Sequence, residues 1–223
     1  MRNLINENRQ LLRLIARFHG QPSQLVHQER WPTEVPEPVR RLLQNSAAGQ
    51  RRLRNWMNET WNLDPEFHHT FAEPRHRVAL LAPDRLQSLK LHCGAAIHSV
   101  DIARAIDRSK QTEFRELLGE NAYNFAMKRA SFLIGKLPDE LKAAPTTVDE
   151  IISSGQRCIA SCLQDAPGEL LRRLELALSP ASPLSVQQEG RAERDAEHTK
   201  PIWTFVKRIL LTEVAPEMKP CFA

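Results

Sequence analysis

His92, Cys93 and His98 fall within seven positions of one stretch, LKLHCGAAIHSVDIARAI (residues 89–106), and Cys158 and Cys162 stand four apart further along. Imidazole and thiolate are the usual ligands of zinc, and both also serve as nucleophiles or bases. On a helix, positions four apart share a face, so Cys158 and Cys162 could reach one ion together. Val148, Ile151, Ile152, Gly155, Ile159 and Leu163 share or flank that same face. Free cysteine packs as a small hydrophobe, so the expectation is a core pair without metal. Cys93 lies in a leucine stripe and takes the same reading. His92 is one residue off that stripe, and adjacent helical residues cannot both face one metal. His98 shares a side with Leu91, Ala95 and Ile102, which favours a structural role at a helix end. His68, His69 and His76, with Glu66 and Glu73, form a third group; their spacing fits no familiar zinc pattern and leaves metal binding there open.

Other chemistry is excluded more firmly. No two of the eight glycines lie closer than Gly155 and Gly168, so neither a Walker A loop nor a dinucleotide fingerprint exists. H-E-x-x-H and G-x-S-x-G are also absent. The sequence predicts no catalytic centre, no cofactor and, that open histidine group aside, no metal site.

The elements that would carry these residues read as helices throughout. With one tyrosine and few alternating β-branched runs, there is little material for strands. Asn3 to Phe18 should form the first helix, with Leu4, Leu11, Leu12, Ile15 and Phe18 on one side. Pro38 should open a second helix running to about Leu63, with Leu42, Leu43, Leu53, Trp56, Met57 and Trp61 on its apolar side. DPEFHHTFAEPRHR follows as a connecting loop. Pro83 and Asp84 open the helix of the quoted stretch, where Leu86, Leu89, Cys93, Ile97 and Val100 step by three and four. Ser99 is placed to cap the next helix, leaving His98 at the joint. A hinge is expected near Gly119, and Gly135 and Pro138 should end that segment. Thr147 should start a helix reaching Leu163, and Gly168 to Leu178 another. SPASPLSVQQEGRAERDAEHTKP is polar with prolines at its ends, a flexible loop over 179–200. A final helix, 201–215, should begin at Pro201. The expected architecture is a single compact all-α domain: a basic helical region at 1–63, a helical core at 78–178, the loop, and the closing helix.

The chain has 223 residues and 25.5 kDa, 26% charged residues and a mean hydropathy of −0.45, a soluble globular profile. No apolar run approaches the ~20 residues that span a bilayer, and the N-terminus lacks the unbroken apolar stretch of a signal peptide. Four cysteines, Cys93, Cys158, Cys162 and Cys221, are too sparse for a disulfide framework. A cytoplasmic protein is expected. The net charge of +4 is mild, yet residues 1–61 hold ten arginines against five glutamates. Such a bias meets either nucleic acid or an acidic protein surface, or merely solvates a helix face. A helical nucleic-acid-binding regulator is one alternative, although no helix-turn-helix with a basic recognition helix is visible.

The centre of the chain resembles the SctK/YscK family, accessory proteins of the bacterial type III secretion sorting platform. That family shows a leucine-rich helix, a glycine, three mostly apolar residues, a histidine, and an isoleucine on the next helix. Here these are Leu86, Leu89 and Leu91, then Gly94, Ala95, Ala96, Ile97 and His98, then Ile102. FRELLGENAYNFAMKRASFLIG matches the family's helix pair and FLIG-like turn, with Leu117, Leu118, Phe125, Ala126, Phe132, Leu133, Ile134 and Gly135. LLRRLELALSPASP and the terminal WTFVKRILLTEVAPEMKPCF resemble its later blocks. Residues 38–77 show little correspondence. The resemblance implies a non-enzymatic, all-helical adaptor of the injectisome, peripheral at the cytoplasmic face of the inner membrane. It would join the cytoplasmic domain of the inner-membrane ring protein (SctD-like) to pods of an SctQ-like protein, and so support protein export and virulence. Through the pods and an SctL-like stalk protein it would hold the export ATPase. No nucleic acid and no direct membrane insertion are implied. An adaptor needs surfaces with charge complementarity and aromatic anchors. Arg51, Arg52 and Arg54 with Trp56 and Trp61 are the candidates, against the plainer reading of both tryptophans as core.

Overall fold

The computed structural model describes residues 2–105, 107–134, 137, 147–180 and 196–222. Every regular element among them is helical and no strand occurs, so the all-α expectation holds. Cα packing divides the chain into two compact units: 1–86 with 165–183 and 218–223, and 87–164 with 184–217. Most of the expected loop over 179–200, together with Gly135 and Pro138, lies outside the described residues.

In the first unit, helix α1 (Arg2–Gly20) buries Phe18 and half-buries Leu11 and Ile15, which are spaced by four and three. Leu12 falls off that stripe and is exposed. The single helix expected from Pro38 to Leu63 is two helices, α2 (Glu37–Gln44) and α3 (Ala47–Thr60). Ser46 causes the break. Its backbone is extended (φ −120°, ψ 143°), and its hydroxyl accepts the Gly49 N–H at 3.0 Å as the N-cap of α3. Gly49 is required there, because a Cβ would run into the Leu43 carbonyl oxygen far inside the 3.0 Å of real contacts. A serine inside an apolar stripe thus reads as interior by periodicity and acts as a start signal in three dimensions.

The core of this unit gathers Val26, Trp31, Leu53, Met57, Leu63 and Leu176, the last from α8 (Gly168–Leu176). Irregular backbone is tied to α8 by hydrogen bonds: His27 N–H donates to the Leu176 carbonyl at 2.8 Å, and Arg30 Nε to that of Leu178 at 2.7 Å. The segment expected to be loop ends in a 3₁₀ turn, Pro74–Leu80, whose Arg77 donates to the carbonyls of Phe71 (2.9 Å) and Cys221 (2.7 Å). These side chains satisfy carbonyls that no regular element reaches.

The second unit includes α4 (Pro83–Ile97) from Gln87 on, α5 (Ser99–Arg104), α6 (Arg108–Lys128), α7 (Val148–Cys162) and α9 (Ala196–Ile209). Thr147 starts α7 as expected, and caps it through a capping box with Glu150. Gly119 sits at φ 76° inside α6, the hinge expected there. Ser99, expected as a cap, is instead the first residue of α5; His98 holds the N-cap position and makes no side-chain capping bond. The last helix begins at Ala196 and takes Pro201 into its interior, five residues before its expected start. Its C-terminus widens into a π turn over Leu210–Val214. Ala95, Ile102, Leu118, Ala122, Tyr123, Ala126 and Ile151 make the core of this unit.

Candidate functional site

The quoted stretch packs against α7, and two glycines set how closely. A Cβ on Gly94 would strike the Ile151 carbonyl oxygen, and one on Gly155 would strike that of Lys90, both well inside 3.0 Å. The two backbones therefore touch through reciprocal glycines, an approach no larger residue permits. Four residues past Gly94, His98 reaches α7 with its side chain: Nε2 lies 2.9 Å from the Ser154 hydroxyl. That hydroxyl donates its one proton to the Glu150 carbonyl at 2.8 Å and accepts from Arg157 at 3.0 Å. Its remaining lone pair must accept from His98, so His98 carries its proton on Nε2. Nδ1 is buried without a hydrogen-bond partner and faces Asp101 at 3.8 Å. Burial pushes the His98 pKa below its ordinary value, against the pull of Asp101.

Of the remaining resemblance residues, Ile97 and Ile102 are buried and Phe132 is 83% exposed. Gly94, His98 and Ile102 thus meet α7 in one crossing, whereas Phe132 is open to solvent.

None of the four cysteines is in a disulfide, and all are fully buried. Burial, and then a hydrogen bond with Cys158, push the Cys93 thiol far up. Burial raises Cys221 too, despite nearby Arg77. A thiolate is the form that binds metal or attacks substrate, and these sites disfavour it. His92 donates from Nδ1 to the Ser88 carbonyl at 2.8 Å and stacks obliquely on Phe125, with its pKa lowered chiefly by burial.

Of the loop histidines, His68 is exposed and His69 half-buried. His76 is buried, and its Nε2 approaches Asp165 Oδ1 at 3.4 Å. With that proton on Nε2, Nδ1 accepts from His69 Nε2 at 3.1 Å. His19 packs edge-on to His68 and bonds the His69 carbonyl at 3.3 Å. Burial lowers both His19 and His69, helped by their neighbouring imidazoles. Among the described residues no set of three histidine, cysteine, aspartate or glutamate side chains is arranged to hold a metal.

The candidate interface residues divide by type. Trp56 stacks on Trp31 at 5.7 Å and meets Trp61 edge-on at 5.2 Å, so both half-buried indoles pack on the first unit's core. Arg51 and Arg52 are exposed and Arg54 is half-buried. Arg51 and Arg54 line an open groove of about 740 Å³ with Arg13 and Arg17 of α1, which belong to the same basic bias of residues 1–61 but were not among the interface candidates. The available signal was the i, i+4 spacing of that pair, the same turn-length step that marked the cysteines.

Among the described residues no helix is long and apolar enough to cross a membrane. No curated protein and no solved structure matches the chain. A family model does: that of YOP proteins translocation protein K (YscK) matches residues 16–219. With the match spanning nearly the whole sequence, and the glycine–histidine crossing lying within it, the chain belongs to the YscK family of type III secretion proteins.

Proposed function

We propose that the protein is a cytoplasmic adaptor of the injectisome that joins the inner-membrane ring protein's cytoplasmic domain to the pods of the sorting platform. It catalyses nothing and needs no cofactor; its work is to hold two partners at once, and through the pods the stalk protein and export ATPase. The observation that carries this reading is the family match over residues 16–219. The chemistry agrees with it. Burial favours the protonated thiol at Cys93 and Cys221, and His92, His98 and His76 are occupied in structural bonds. The division into two compact units suits a protein with two docking surfaces.

The ring contact includes the arginines of α3, because an exposed positive surface steers and orients an acidic partner. Trp56 and Trp61, half-buried against the core, stiffen that helix. Pull-downs with the purified ring domain and pod protein test this. Arg51→Glu/Arg52→Glu/Arg54→Glu should weaken ring binding, mainly by slowing association, while helicity and pod binding persist. Wild-type ring binding should also weaken with salt, since exposed charges are screened over ~8 Å at physiological ionic strength. A folded triple mutant that binds the ring domain at wild-type strength removes these arginines from the interface.

A further inference from the structure

The groove between α1 and α3 is built on two facing stripes. Arg13 and Arg17 stand on one wall and Arg51 and Arg54 on the other, at helical steps of four and three. Ala16, Gly20 and Ala47 lie between them, so the groove is kept open by small residues. Its lining contains no aspartate or glutamate, no lysine and no aromatic residue. Among the described residues no counter-ion sits on any of the four. Arg17 donates to the Leu80 carbonyl at 3.1 Å, and its Nε is buried without a partner. Four like charges facing one another across a concave surface repel, and they focus a positive potential into the space between them. An arrangement that costs energy in the free protein is relieved by an anion.

The form of that anion follows from the lining. Guanidinium forks match carboxylates in plane and in pairs. Arg13 and Arg17 are about 6 Å apart along their helix. Alternate residues of an extended chain are about 6.7 Å apart and point to the same side, while their neighbours point to the other. An extended acidic segment therefore addresses both walls at once: its repeat matches the step of Arg13 and Arg17, and its other face meets Arg51 and Arg54, which are about 4.5 Å apart along their helix. Single-stranded nucleic acid has no aromatic platform to stack on here, and a flat membrane surface cannot enter a groove. We propose that this arginine groove binds an extended acidic segment of a partner protein, with successive carboxylates reaching Arg13 and Arg17 on one wall and Arg51 and Arg54 on the other. The proposal rests on the adaptor reading in taking the occupant to be a protein, and it narrows the ring-facing surface to the groove side of α3, which excludes Arg52.

Fluorescence anisotropy with the full chain and a labelled (Asp-Glu)₄ peptide tests it, with an octathymidylate of similar charge as comparison. Arg51→Gln and Arg52→Gln remove one charge each from adjacent positions, only the first inside the groove. Ala16→Trp fills the groove and leaves the charge unchanged. Peptide binding should weaken about fivefold in Arg51→Gln and less than about twofold in Arg52→Gln. Ala16→Trp should weaken it at least as much as Arg51→Gln; if that variant does not fold, the arginine pair decides alone. Equal losses at Arg51 and Arg52, or wild-type binding in folded Ala16→Trp, overturn the groove in favour of diffuse charge. Tighter binding of octathymidylate with the same variant pattern overturns the acidic-segment assignment. The ring domain, measured on the same proteins, separates the two readings: groove-dependent peptide binding in a protein that binds no ring domain supports the groove and counts against the adaptor.

Discussion

The Ser154 hydroxyl, with its proton given to Glu150 and both lone pairs taken by Arg157 and His98, has no capacity left for a substrate. His98 beside it is held neutral by burial and tied to a neighbouring helix, which is the work of a fastener. Two predictions belong to this scale. Cys158→Ala and Cys162→Ala should each cost on the order of 1 kcal/mol through lost packing, read as a shift in denaturant midpoint. The purified wild type should contain no stoichiometric zinc; zinc lost together with partner binding in the folded double mutant would contradict the structural reading. The second concerns acid. His19, His69, His92 and His98 all have pKa values below the ordinary 6.5. The unfolded chain therefore binds protons that the folded one resists, and stability rises with pH across that range. It should be full above pH 6.5 and fall as the pH drops through 6.5 toward the lower folded values. His98→Gln keeps a donor for Ser154 and removes one titrating group, so it should lessen the acid slope without abolishing it. Chemical denaturation from pH 8 to 5 would show this, and an unchanged slope would remove His98 from the account.

At the scale of elements, the α4–α7 crossing is the most demanding feature. Gly155→Ala would press a methyl group into the Lys90 carbonyl, so the helices must separate and give up contacts along their length. A loss of roughly 1–3 kcal/mol is expected, against almost nothing for Gly168→Ala, where a Cβ meets open space. Thermal unfolding of the two variants compares them directly, and equal stability would mean that the crossing relaxes freely. This crossing also shows what was legible in the sequence. Gly94 and His98 stood out by position, and the helix start at Thr147 and the hinge at Gly119 could be read as local signals. Of the partners on α7, Gly155 was visible only as a neighbour of an apolar stripe and Ser154 not at all, because no local pattern states which helix faces which. Boundaries failed where a single residue competed with periodicity: Ser46 divides α2 from α3, and Pro201 lies inside α9. The groove was half legible, since the arginines of α3 were noticed for their charge while those of α1 lie some 35 positions away.

On the scale of the whole molecule, the two compact units each have their own apolar cluster, and the basic groove belongs to the first. An adaptor differs from a simple binding module in that its two partners must be held together, with neither displacing the other. The most direct measurement is therefore size-exclusion chromatography with light scattering on the protein, the ring protein's cytoplasmic domain and the pod protein, singly, in pairs and all three together. The adaptor account predicts two binary complexes containing this chain and a ternary species whose mass is the sum of its parts, which dissociates when this chain is left out. Competition between ring and pod for the chain, or failure of the folded chain to bind either, would contradict it.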